Sequence, residues 1–349
     1  MEYLYDYGLF LAQAITLVAA ILIVFGGIVA LGQRQKADHE GHIEIRHVNE
    51  KYKAIGQSIR QVVEDADKVK ADRKAEKKAE KAKAKEEKKK KKADAAAEQR
   101  PRLFVLDFDG DMKASAADNL REEISAVLPR IQKQDEILVR LESPGGLVHS
   151  YGFAASQLKR ITDAGVTLTV AVDKVAASGG YMMACVADRI VAAPFAVIGS
   201  IGVLAQLPNF NRLLKKHDID FEQFTAGEYK RTVTMFGENT DKGREKFTEE
   251  LEDTHELFKE FVAANRPSLD ISRVATGEVW YGQRALDEGL VDELRTSDTL
   301  VQEALEDKDI FEVRFVHKKN WQERLGMAAE GALERSLLKL MQQGRRILP

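Results

Sequence analysis

Cysteine is nearly absent from this chain. Cys185 is the only one in 349 residues, so no disulfide can form within the chain and no cysteine-built zinc site exists. It sits in an apolar run, where a thiol packs as a small hydrophobe. The seven histidines include no HExxH pattern, so no metal and no cofactor is expected. Lysine and arginine are missing from the start of the chain until Arg34. The opening Met1-Glu2-Tyr3-Leu4-Tyr5-Asp6-Tyr7 therefore lacks the basic region of a cleaved signal peptide. Charge of one sign is not in excess: 53 Lys and Arg face 56 Asp and Glu, a net charge of −3. The charge is instead segregated along the chain, and the length allows one large or two modest domains with appendages.

What is present begins with an apolar run from Leu9 to Leu31, broken only by Gln13, Thr16, Gly26 and Gly27. At about 23 residues it is long enough to cross a bilayer. It is expected to be an uncleaved anchor, with residues 1–35 as the anchor segment. Arg34, Lys36 and Arg46 follow it, and basic residues stay on the cytoplasmic side. The chain is thus placed in a plasma membrane, with its bulk in the cytoplasm and lipids among its partners. Residues 36–100 read as a charged linker. Residues 42–69 are weakly periodic (Ile45, Val48, Tyr52, Ile55, Ile59, Val62) and are expected to be helical. Residues 70–98 are almost all Lys, Glu and Ala, with no apolar face to bury. They are a solvated spacer, or a basic strip on anionic lipid heads. Without interleaved aromatics for stacking, nucleic acid is not expected as a partner.

From Pro101 the composition becomes globular. Apolar runs at 103–108, 136–141 and 167–172 alternate with amphipathic helices at 116–131 and 151–164. Such alternation predicts βαβ units and a mostly parallel sheet, an α/β fold. Further β-type segments are predicted at 190–193, 196–203, 221–225 and 311–316. A short helix is expected at 210–216, a long charged one at 241–265, and a helix-turn-helix-like close at 270–294. A basic amphipathic helix at 321–340 would pack on a neighbour or lie on a membrane. The globular domain is bounded at 101–307, with 308–349 as a C-terminal strand and helix.

The chain is organised around the stretch from Val172 to Ile201, which opens with Val172-Asp173-Lys174-Val175-Ala176-Ala177-Ser178-Gly179-Gly180-Tyr181. A β-rich run enters a loop of small residues, and Ser178 stands where an apolar helix begins. There its hydroxyl meets unpaired N–H groups that favour developing negative charge. The same position suits a simple N-cap serine. A nucleophilic serine needs a base. His149, after the Pro144-Gly145-Gly146 turn, and His217, at a basic helix end, offer a histidine triad but do not pair convincingly. Lys230 follows a predicted strand in Thr225-Ala226-Gly227-Glu228-Tyr229-Lys230-Arg231. As an exposed lysine it would be ordinary; as a base it must be a neutral amine, which requires burial and hydrogen bonds to that form.

Four strings together, Glu142-Ser143-Pro144-Gly145-Gly146, Lys174 to Tyr181, Gly199-Ser200-Ile201-Gly202-Val203 and Gly227-Glu228-Tyr229-Lys230, resemble the signal peptide peptidase A family of serine proteases. The resemblance covers about residues 101–294 and implies a ClpP/crotonase-like fold with a Ser-Lys dyad. It implies Ser178 as nucleophile, Lys230 as general base and Ser200 as the serine that orients the lysine amine. The N–H groups of Gly146 and Gly179 correspond to the oxyanion hole. It also implies a homo-oligomeric ring, a bacterial inner-membrane location and cleavage of extended hydrophobic peptides such as signal-peptide remnants or damaged membrane proteins. Two other functions fit the same features: a crotonase-type acyl-CoA enzyme, which would bind CoA and not need Lys230, and a catalytically silent membrane scaffold.

Overall fold

The computed structural model describes residues 41–65 and 100–317, together with Gly8, Leu11, Gln13 and Thr16. The apolar run at 9–31 (apart from Leu11, Gln13 and Thr16), the lysine-rich stretch at 70–98 and the helix expected at 321–340 lie outside these residues. Among the described residues no helix is long and apolar enough to cross a membrane. One compact unit spans Ile43–Phe315. Of the other unit, 1–42 with 316–349, the described residues are the four N-terminal ones, Gly41, His42, Val316 and His317.

The strands in chain order are β1 (Gly41–His47), β2 (Arg102–Asp109), β3 (Glu136–Glu142), β4 (Thr167–Val172), β5 (Val175–Ala177), β6 (Arg189–Ala192), β7 (Val197–Gly199), β8 (Val279–Tyr281), β9 (Glu293–Leu294) and β10 (Asp309–His317). Seven make the main sheet, in the order β1-β10-β2-β3-β4-β6-β9. From β10 to β9 every neighbouring pair is parallel. The mostly parallel α/β architecture predicted from the alternating runs is therefore present. Buried on both faces, the central strands are apolar at successive positions rather than at alternate ones. Phe104, Leu106, Phe108, Val139, Leu141, Val170 and Val172 enter the larger core. Their sequence neighbours Leu103, Val105, Leu138 and Ala171 enter a smaller one on the other face. Helices α2 (Ala117–Val127) and α3 (Val148–Asp163) cover the larger core with Leu120, Ile124, Tyr151, Leu158 and Ile161, all at most 1% exposed. Each such side chain contributes roughly 1.5–3 kcal/mol of burial.

A second sheet, β5-β7-β8, stands beside the first. β5 and β7 run parallel, with Ala177 opposite Gly199, and β8 returns antiparallel. This small sheet sets the site, because Ser178 and Ser200 leave its two parallel strands at matched positions.

Three expectations are corrected. Residues 42–47 form a strand, not a helix: Ile43 and Ile45 alternate with Glu44 and Arg46 at the strand period, and of the described residues from 42 to 65 Val48–Val63 (α1) is helical. Residues 221–225 form no strand; no neighbouring strand offers a ladder, and Phe221 instead packs on Phe236, 5.9 Å between ring centres. The close at 270–294 is not a helix-turn-helix: its two short helices, Ile271–Val274 (α7) and Gly282–Asp287 (α8), are separated by β8 and followed by β9, because Val279-Trp280-Tyr281 are β-formers. β10 lies between β1 and β2 in the main sheet.

Candidate active site

Three turns converge at the carboxyl end of β3 and β5. Ser143 ends β3 and bridges across to β5: its N–H donates to Val175 O at 2.8 Å and its carbonyl accepts from Ala177 N at 3.0 Å. One residue on, the Ser178 N–H donates to Gly199 O at 2.7 Å. The Ser143–Gly146 turn, Ser178 and Ser200 are thereby brought side by side. Ser178 has φ +53° and ψ −119°, and Ser200 has φ +51°. Both lie in the left-handed half of φ space, where a residue with a side chain is strained by about 1–3 kcal/mol. The N-cap reading of Ser178 fails, since its hydroxyl makes no cap bond and an N-cap has extended backbone. Ser178 is half-buried, and the helix that follows it, Gly179–Ala184 (α4), is wholly buried.

Gly145 turns at φ +88°, and its backbone lies directly against the serine. A Cβ there would come within 2.7 Å of Ser178 Cβ and 2.8 Å of Gly179 N. Gly146 abuts the Met112 carbonyl, which accepts from Leu147 N at 2.9 Å. Among the described residues the N–H groups of Gly146 and Gly179 have no acceptor. Two donors without partners beside a strained hydroxyl can hold a developing oxyanion. Burial pushes the Cys185 thiol up to about 12, in keeping with a packing role.

Lys230 is not brought to this cluster. Between Ile201 and α6 (Asp241–Asn265) the chain leaves the sheet as an arm whose only helix is α5 (Asn211–Lys216). Phe210 stacks on Phe236 at 6.1 Å, and Phe210 N donates to Met235 O at 2.7 Å, tying the two limbs together. Lys230 stands exposed on this arm, in a turn made by Gly227 at φ +99°. Its turn is braced against α6 by the Glu228–Lys242 ion pair at 2.7 Å and by Lys242 and Lys246 over the Tyr229 ring. Among the described residues Lys230 hydrogen-bonds to neither Ser178 nor Ser200. His149 and His217 are likewise exposed and unbonded to Ser178, so among the described residues no histidine triad forms at Ser178. Sequence reasoning missed Tyr151, whose ring lies beneath Gly179. It also missed His255, whose Nε2 meets Ile201 O at 3.2 Å, and Trp280, which closes on Gly199. None of the three carries a local motif; each is recruited by tertiary packing.

Residues 2–158 match the model of the peptidase family S49 N-terminal region, and residues 160–310 match the peptidase family S49 model. The chain is 52% identical over 331 residues to "Probable protease SohB" of Haemophilus influenzae, covering 94% of each. It is 47% identical over 343 residues to "Probable protease SohB" of Buchnera aphidicola subsp. Acyrthosiphon pisum, covering 97% of this chain and 98% of that one. A solved structure of the 1510-N membrane-bound stomatin-specific protease with a substrate peptide aligns with a TM-score of 0.40 at 12% identity, over 65% of this chain and 96% of that one. The two family models between them span residues 2–310, and the full-length relatives agree with them: the chain belongs to peptidase family S49 and is a serine-type peptidase.

Proposed function

We propose that this peptidase is a membrane-anchored endopeptidase with a Ser178–Lys230 dyad completed between copies of the chain, on a ClpP/crotonase-like fold. Ser178 Oγ attacks the scissile carbonyl, and the tetrahedral oxyanion is held by Gly146 N–H and Gly179 N–H. Lys230, as the free amine, takes the serine proton and returns one to the leaving amine. Ser200 orients that amine from the adjoining strand. The run at 9–31 anchors the chain in the inner membrane, with residues 101–307 as the cytoplasmic catalytic portion. Residues 36–100 are the linker and 308–349 the C-terminal appendage. Extended hydrophobic peptides are the substrates, released from signal sequences or damaged membrane proteins.

The observation that carries this reading is the separation of the two halves of the dyad. Ser178 is strained and backed by two unpaired N–H groups, while Lys230 stands in solvent on an arm. The arm also exposes Leu204 (77%) and Phe224 (90%), a run of apolar surface that a partner copy would cover. Docking on a neighbour would strip water from the Lys230 amine, as a lysine base requires. The test is complementation. Inactive Ser178→Ala and Lys230→Ala chains, differently tagged, are unfolded together and reassembled. Activity that returns in the mixed assemblies supports a shared site; mixed assemblies with no activity place both groups in one chain. Digestion of the catalytic portion from outside intact spheroplasts would reverse the proposed orientation.

A further inference from the structure

We propose that Tyr151, acting through Ser143, is a positioning residue that holds both oxyanion donors in place. The inference rests on the reading of Ser178, Gly146 and Gly179 given above. Tyr151 and Ser143 are each 0% exposed. The Tyr151 hydroxyl lies 2.6 Å from Ser143 Oγ and donates to the Asp111 carbonyl at 2.7 Å. Gly145 N–H in turn donates to Ser143 Oγ at 3.1 Å. A phenol has one proton. With that proton on the Asp111 carbonyl, the Ser143 hydroxyl must donate to Tyr151, and every proton in the chain has one place. The chain runs from Gly145 N–H through the Ser143 and Tyr151 hydroxyls to Asp111 O.

Its ends are the two loops that frame Gly146. On one side is the Ser143–Gly145 turn. On the other is the Asp111 loop, whose Met112 carbonyl abuts Gly146 and accepts from Leu147. The Tyr151 ring serves the other donor. It lies so close beneath Gly179 that a Cβ there would overlap it, and the edge of Phe108 fixes it from the side, 6.4 Å between ring centres. Gly110 leaves no slack, since a Cβ on it would collide with both hydroxyls. A phenylalanine would fill the same core volume. The hydroxyl is the part that packing does not need, and its bonds go to the two loops at the site. Burial also raises the Tyr151 hydroxyl above its ordinary value, which keeps it the neutral donor that the chain requires.

The experiment compares Tyr151→Phe, Ser143→Ala and the double variant in the full-length protein. Removing either hydroxyl should lower kcat about 10- to 100-fold with KM within twofold. The rate at which a peptide phosphonate labels Ser178 should fall in parallel. Binding of an uncleaved substrate peptide, measured in the Ser178→Ala background, should be unchanged. The double variant should lose no more than the worse single one, because both break the same chain. Tyr181→Phe is the control: it also removes a buried phenol bonded to a backbone carbonyl, Leu290 O at 2.9 Å, and should lower the melting temperature without lowering kcat. If Tyr151→Phe fails to fold, Ser143→Ala breaks the same link from its other end and decides the question. A kcat within twofold of wild type, or a loss matched by a change in KM, overturns the proposal. If Ser178→Ala keeps wild-type activity, the nucleophile assignment falls and this inference with it. If Ser178 is essential and the hydroxyl variants are fully active, only this inference falls.

Discussion

Gly145→Ala adds one methyl group and should nearly abolish peptide cleavage. Two costs follow from the geometry. At φ +88° an alanine is strained by about 1–3 kcal/mol. The new Cβ would also lie 2.7 Å from Ala177 O, 2.7 Å from Ser178 Cβ and 2.8 Å from Gly179 N. These are backbone and nucleophile atoms, not the end of a flexible side chain, so the turn must back away by several tenths of an ångström. That shift moves Gly146, and the methyl group occupies the space before Gly179 N–H. Loss of one oxyanion donor lowers kcat by roughly 10²–10³-fold, and both donors are disturbed here. Gly165→Ala is the matched control. Gly165 turns at φ +72° at the end of α3, and nothing lies within 4 Å of a Cβ there. It should lose only the strain part of that stability and keep its activity. The assay is steady-state hydrolysis of a fluorogenic peptide beside calorimetric melting for both variants. If Gly145→Ala stays within threefold of wild-type kcat at equal folded fraction, the Gly145 backbone does not shape the site and the geometric argument is wrong.

Three further outcomes are expected. Lys230→Arg should be as inactive as Lys230→Ala, because a guanidinium does not give up its proton at working pH; an arginine variant with most of the wild-type kcat would reduce Lys230 to a positive charge. Burial raises the Glu123 carboxyl to about 7, against the pull of Phe315 N–H, and its Oε2 has no hydrogen-bond partner. The folded state therefore keeps a proton that the unfolded chain sheds from about 4.5 upward. Up to roughly 3 kcal/mol of stability should be lost as pH rises through 7. Glu123→Gln should flatten that loss between urea midpoints at pH 5 and pH 8, and an unchanged slope would refute it. Cys185 is fully buried and its thiol is pushed up to about 12, so iodoacetamide at pH 8 should modify it only after unfolding; prompt labelling of the native protein would contradict this.

The central sheet was legible because its signal is local. Leu103 to Phe108 or Leu168 to Val172 can be nothing but a doubly buried strand once helices of the right length lie between them. Ser178 was legible as a junction, though not as a strained one: positive φ comes from the β5–β7 register, which pairs residues 22 apart, Ala177 with Gly199. The failures share a cause. Phe221 to Thr225 has strand composition, but a strand exists only with a partner, and none is near. Gly41 to His47 has the strand period over too few residues to stand out from the helix after it, and its neighbour in the sheet is β10, more than 250 residues away. Tyr151 reads in sequence as one more apolar position on a helix. Its meaning comes from Asp111 and Ser143, which only the fold places at its hydroxyl.

The same division separates the parts of the proposed dyad. Ser178, Ser200 and the glycine turns are mounted on short strands over a closed core, where strain at two serines is sustained because the surroundings cannot relax. Lys230 is carried where almost nothing is buried: from Leu204 to Asp241 no residue falls in the buried class. Segments with few buried contacts open and reorder at little cost, so the arm is the part of the chain that can wait for a partner. In the proposed dyad the rigid half would set the geometry of attack and the arm would supply the base. On that reading dilution should lower activity before it lowers stability. The core that holds Ser178 is buried within one chain, whereas in the proposed dyad the lysine comes from a neighbouring copy.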